Sequence, residues 1–132
     1  MKRRTFLSVI ATLAFAPSVL FAADSIDYTP GLIKSELAAG KTVFVDYAAD
    51  WCGTCKSQAR TINVLRDSNP EYDKKMTFIR VDWDDFGNTE VTKSRNIPRR
   101  STLIVLKGDK ELGRIVAGTS TGQIKELLDT GL

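Results

Sequence analysis

Cys52 and Cys55 are the only cysteines of the 132-residue chain. They stand two residues apart in Ala49-Asp50-Trp51-Cys52-Gly53-Thr54-Cys55-Lys56. The reactive form of cysteine is the thiolate, and a helix N-terminus favours it through unpaired N–H groups and the positive end of the dipole. The apolar run Val43-Phe44-Val45 before the pair reads as a strand, and the residues from Cys52 onward read as a helix. Cys52 thus falls at a strand-to-helix corner and Cys55 one turn further on, close enough to close a small ring. The chemistry on offer is reversible exchange between dithiol and disulfide. A purely structural bridge is the plainer reading. The spacing argues against it, because a bridge over two intervening residues closes a tiny loop and removes little entropy from the unfolded chain.

The elements that must position this pair follow from periodicity and punctuation. Thr29 and Pro30 read as the cap and first position of a helix that carries Leu32, Ile33 and Leu37 and stops at Gly40. A buried strand is expected over 41–48, then the cysteine helix over 52–67, with Ile62 and Leu65 inward and Asn69-Pro70 closing it. A second core strand spans 76–83, a short polar helix 88–95, and a loop containing Pro98 spans 96–101. A strong β run over 102–106 turns at Gly108-Asp109-Lys110 into a strand over 111–117. A loop over 118–122 leads to a last amphipathic helix beginning over 123–128, with Ile124, Leu127 and Leu128 inward. The order helix, strand, helix, strand, helix, strand, strand, helix specifies an α/β chain. Its first two strands are parallel through a right-handed helical crossover, and its last two form a hairpin in a mixed sheet with helices on both faces.

The start of the chain reads as a targeting segment. Lys2, Arg3 and Arg4 precede an apolar stretch from Phe6 to Ala22, interrupted by Pro17 and ending in small residues. This is a signal peptide over 1–23, cleaved after Ala22 or Ala23, with an uncleaved anchor as the rival reading. Arg3-Arg4-Thr5-Phe6-Leu7 resembles a twin-arginine export motif, and the general secretory route stays open. One domain then remains over 24–132. The chain has 19 basic and 16 acidic residues, and three of the basic ones lie in the leader, so the mature domain is close to neutral. Nothing in that balance points to nucleic acid or to a membrane surface.

With the elements placed, the chain resembles the thioredoxin family over nearly all of its mature part. The resemblance rests on 45–56, Val45-Asp46-Tyr47-Ala48-Ala49-Asp50-Trp51-Cys52-Gly53-Thr54-Cys55-Lys56, on Arg80-Val81-Asp82-Trp83-Asp84, and on the hairpin from Thr102 to Ala117 with its helix. It implies a thioredoxin-like three-layer α/β/α fold with a mixed, mostly four-stranded central sheet, and a thiol–disulfide oxidoreductase without cofactor or metal. Together with the leader it looks closest to periplasmic reducing relatives such as the terminal domain of DsbD-type reductases. That implies a monomer, protein substrates with disulfides, and a membrane electron donor of DsbD type. In the resemblance Cys52 is the attacking thiol, Cys55 resolves the mixed disulfide, and Asp46 is the buried acid that takes the proton of Cys55. The alternative for Asp46 is a surface-facing strand acid paired with Lys or Arg.

Docking or tuning falls to Trp51, Gly53, Thr54, Lys56, Pro98, Arg100 and Ser101, with Arg99 beside them. For Trp51 the alternative is core packing, and for Lys56 and the arginines a solvated surface. Asp82, Asp84 and Asp85 read better as helix capping than as a calcium cluster. The chain departs from the family pattern twice. Gly53-Thr54 stands where Gly-Pro is common, and Ser101 stands where a cis-proline normally precedes the third core strand, with Pro98 three residues too early. Either Arg99-Arg100-Ser101 reshapes the loop or the proline is replaced, and a non-proline cis bond costs about 3 kcal/mol. A second function class is a thiolate-based copper carrier. Against it, the chain has no histidine, and Met76 is the one methionine outside the leader. A third is a redox-inert binding scaffold, against which the intact cysteines speak.

Overall fold

An unbroken apolar run such as 43–45 asks for cover on both faces, and it receives it. In the computed structural model, which describes residues 24–132, β2 (Thr42–Ala48) is the central strand. β3 (Met76–Asp82) lies parallel on one side, with Val45 opposite Ile79 and Asp46 opposite Arg80. β4 (Thr102–Lys107) lies antiparallel on the other, with Asp46 opposite Leu103. β5 (Lys110–Val116) folds back on β4, and β1 (Ile26–Asp27) adds to the free edge of β3, giving the order β1-β3-β2-β4-β5. The expected α/β fold with a mixed sheet is present, with five strands. The additional strand is two residues long, too short for an alternation to show.

Alternation along the strands splits the core into two layers. Phe44, Phe78, Leu103 and Val105 face α2 (Gly53–Ser68), α3 (Glu71–Lys75) and α6 (Thr121–Asp129), meeting Ile62, Leu65, Tyr72, Ile124 and Leu128. Val43, Val45, Tyr47, Ile79, Val81 and Ile104 face the other way, towards Ile33 of α1 (Leu32–Ala38) and Ile97. The same alternation puts Asp46, two residues after Phe44, on the face that α2 covers.

Local chemistry shifts several boundaries. Helix α1 starts at Leu32, not at Pro30, because Gly31 takes the cap position at φ 88°, a left-handed backbone that suits glycine. The second core strand ends at Asp82, whose carboxylate accepts from the N–H groups of Asp84 and Asp85 and starts the short helix α4 (Trp83–Phe86). The helix expected over 88–95 is only α5 (Glu90–Lys93). Pro70 does end α2, and it caps α3, a five-residue helix absent from the sequence reading. The signal peptide expected over 1–23 lies outside the described residues.

Candidate functional site

Cys52 is the N-cap residue of α2. Its own sulfur accepts the capping hydrogen bond, from the Cys55 N–H at 3.1 Å. Cysteine is an unusual cap; the sulfur takes the place that a Ser or Asp oxygen would hold. The two cysteines form a disulfide with Cα atoms 5.3 Å apart, and both are buried among Ala48, Ala49 and the edge of Trp83. Gly53 and Thr54 form the first turn between them.

Ser101 closes the site from the opposite side. It is fully buried, and its Oγ lies 3.2 Å from Cys52 Sγ and 3.1 Å from Cys55 Sγ. Disulfide sulfurs carry no proton, so the single hydroxyl hydrogen is the donor, shared between the two. Its φ of 64° is in the left-handed region that a non-glycine residue enters at a cost of roughly 1–3 kcal/mol. Three hydrogen bonds hold it there. The Ser101 N–H donates to Tyr47 O at 2.7 Å, while Ser101 O accepts from Ala117 N at 2.9 Å and from Gln58 Nε2 at 3.0 Å. Gln58 Nε2 also donates to Gly118 O at 2.9 Å. One buried amide therefore ties α2 to both loops behind the sulfurs. The peptide bonds of the described residues are all trans. No cis peptide therefore precedes Ser101 or Pro98, and Ser101 stands in a left-handed turn directly before β4. Pro98 is exposed, and the residue within hydrogen-bond distance of both sulfurs is Ser101.

Asp46 lies beneath the pair. Its carboxyl lines a cavity of about 370 Å³ together with Cys55, Lys56, Arg80, Asp24 and Ser25. Its Oδ1 is cut off from solvent and has no hydrogen-bond partner among the described residues. Burial pushes its pKa up to about 7, and the Arg80 charge pulls weakly the other way. Arg80 is turned towards Asp50 at 2.9 Å and Asp82 at 3.6 Å, so the surface-paired alternative for Asp46 does not hold.

Trp51 is 59% exposed, which overturns core packing for it. Its Nε1 donates to both carboxylate oxygens of Asp84, at 3.0 and 3.1 Å. The Arg100 guanidinium lies 4.5 Å above its ring, with its Nε buried and without a partner among the described residues. Arg99 Nε donates to Arg100 O at 3.1 Å, and Lys56 is exposed at the cavity rim. Cys52, Cys55 and Ser101 are thus in contact, Asp46 and Lys56 share the cavity of Cys55, and Trp51 with Arg100 forms the outer wall. Gln58 and Arg80 were not singled out from sequence. Gln58 had a signal: three residues after Cys55, it lies on the same helix face as the second sulfur.

Comparison with known proteins bears on this arrangement. The family model described as Thioredoxin matches residues 27–130. Thioredoxin-1 of Saccharomyces cerevisiae is 32% identical over 100 residues, 76% of this chain and 90% of that protein. The thioredoxin of Buchnera aphidicola is 32% identical over 106 residues, 79% of this chain and 92% of that protein. Among solved structures, Trxlp of Edwardsiella tarda superposes with a TM-score of 0.69 at 27% identity, covering 79% of this chain and 98% of that one. The reduced thioredoxin pre-protein of Schistosoma mansoni gives 0.66 at 26% identity, covering 83% and 100%.

Proposed function

The chain belongs to the thioredoxin family and is a thioredoxin-type thiol–disulfide oxidoreductase, and on that premise we propose that it is an exported reductase of protein disulfides. The observation that carries the reading is the Cys52–Cys55 pair at the start of α2, with a half-buried acid of raised pKa sharing the cavity of the second sulfur.

In the reduced form the Cys52 thiolate attacks one sulfur of a partner's disulfide. A Cys52–partner bond forms, and the partner's other sulfur leaves as a thiolate. Cys55 then gives its proton to the Asp46 carboxylate and attacks Cys52 Sγ. The intramolecular disulfide forms, and the partner leaves with both sulfurs reduced. A pKa of about 7 leaves Asp46 able to take that proton and to release it again near neutral pH. Trp51, Arg100, Gly53 and Thr54 offer the surface against which the partner docks.

The export reading rests on the basic and apolar start of the chain. In an oxidising compartment the spent disulfide needs two electrons from elsewhere, so the reading includes a membrane donor of DsbD type and a monomer that shuttles between donor and substrate. The decisive experiment is a glutathione titration of the purified 24–132 domain with its reduction potential as readout. A value near that of thioredoxin itself, about −270 mV, supports reduction, and one near about −120 mV overturns that direction. Failure to cleave the bridges of insulin with dithiothreitol as electron source overturns the reading entirely.

A further inference from the structure

Three groups can stabilise charge on Cys52 from within the fold. One is the α2 terminus, and a second is the Cys55 N–H at 3.1 Å. The third is the hydroxyl of Ser101, which lies within hydrogen-bond reach of both sulfurs in a position shut off from water. Its partnership changes with redox state. Two electrons and one proton convert the disulfide into a Cys52 thiolate and a Cys55 thiol. A disulfide sulfur is a weak acceptor, whereas a thiolate receives a charge-assisted hydrogen bond of roughly twice the strength. The same oxygen then has a lone pair for the new Cys55 S–H. The reduced state therefore gains more from Ser101 than the oxidised state does.

We propose that Ser101 is a catalytic residue beside Cys52, Cys55 and Asp46, whose hydroxyl donates to the Cys52 thiolate and sets the balance between dithiol and disulfide. The oxygen does not wander. The Ser101 backbone is fixed by Tyr47 O, Ala117 N and Gln58 Nε2, and full burial leaves no solvent to compete for the bond. The left-handed φ of 64° aims the side chain at the sulfurs. Gln58 is the positioning residue of the arrangement, since its amide grips the Ser101 carbonyl from the helix that carries both cysteines. The inference rests on the oxidoreductase reading for its importance and on these contacts for its content.

The test compares Ser101→Gly and Ser101→Ala with the parent protein, all reduced. Glycine accepts the left-handed backbone without strain, so its variant keeps the loop while losing the hydroxyl. The first readout is the ultraviolet thiolate absorbance against pH, and removal of the donor is expected to raise the Cys52 pKa by about one unit. The charged groups around the pair, namely Asp24, Asp46, Asp50, Lys56 and Arg80 at the cavity and Arg99 and Arg100 on the loop, are the same in every protein and drop out of the difference. The second readout is equilibrium with glutathione, whose two thiols supply the electrons, one proton going to Cys55 and one to buffer. The variants are expected to hold roughly tenfold less dithiol, a fall in potential of about 30 mV. A glycine variant that folds cooperatively and matches the parent in both readouts overturns the inference. Failure of the parent to exchange disulfides overturns the oxidoreductase reading instead, and the thiolate titration still decides the role of Ser101.

Discussion

The two ends of α2 differ in how far they pair buried polarity. At its C-terminal end Arg66 is 3% exposed, donates to Asp73 at 2.6 Å and lies 3.9 Å over the Phe78 ring, and its charge also suits the negative end of the dipole. At its N-terminal end Asp46 Oδ1, Gln58 Oε1 and Arg100 Nε are buried without partners among the described residues; the one other such atom is Nη1 of Arg66, whose Nε is paired. Two non-glycine residues there, Ser101 and Ala117, sit at φ 64° and 61°. The same helix therefore shows that this fold can pair a buried charge, and that it does not do so beneath the sulfurs. One end is organised for stability. The other stores unmet hydrogen-bonding capacity and backbone strain, the pattern of a site whose partner arrives from outside.

The largest test of that contrast is Cys52→Ser. Insulin reduction by this variant is expected to fall to background, a loss of a hundredfold or more on the order of what an activated nucleophile supplies, while Cys55→Ser keeps the first attack and accumulates mixed disulfides visible on a non-reducing gel. An Arg66 variant should leave the same assay unchanged.

Next comes Asp46→Asn. The folded carboxyl titrates near 7 and the unfolded one near 3.8, so the folded state holds the extra proton between these values and wild-type stability declines as pH rises through that window. The decline attributable to this group is up to roughly 4 kcal/mol. Urea denaturation at pH 4 and pH 8 should show the asparagine variant relatively more stable at the higher pH, with mixed-disulfide resolution slowed about a hundredfold. Equal pH slopes in the two proteins would remove the contrast between the ends of α2.

Arg66→Met works in the opposite sense. It leaves Asp73 unpaired but 29% exposed, so a stability loss of about 2 kcal/mol is expected, less than the roughly 3–5 kcal/mol of breaking a fully buried pair, with activity retained. The smallest effect belongs to Trp51→Ala, which removes the platform under Arg100. About 0.5–1 kcal/mol of local stacking is lost, and the change should appear in KM for protein substrates more than in kcat.

Much of the fold was legible because its strands are continuous apolar runs. Val43-Phe44-Val45 and Leu103-Ile104-Val105 announce buried strands whatever surrounds them. The elements that escaped, β1, α3 and α4, are two to five residues long and owe their existence to edge pairing, to Pro70 and to the Asp82 cap. In the site, the cysteine pair and the odd placement of Asp46 in an apolar run were visible as local anomalies. The contact of Ser101 with both sulfurs was not, because it joins residues 46 and 49 positions apart through a backbone turn that no serine signals on its own. A tryptophan before the nucleophile suits either a flat contact surface or the core; its exposed ring, held by an acid on one side and an arginine on the other, excludes the core.

The short strand β1 has a practical bearing on any experiment. Asp24 and Ser25, just ahead of it, form part of the wall around Asp46 and Cys55, whereas Leu132 lies at the far end of the sheet beside Lys41 and Lys107. A fluorophore or affinity handle grafted ahead of Asp24 would crowd the chamber that Asp46 and Cys55 share and distort the rates measured afterwards. Attached behind Leu132, the same handle leaves the chamber open and the kinetics those of the protein alone.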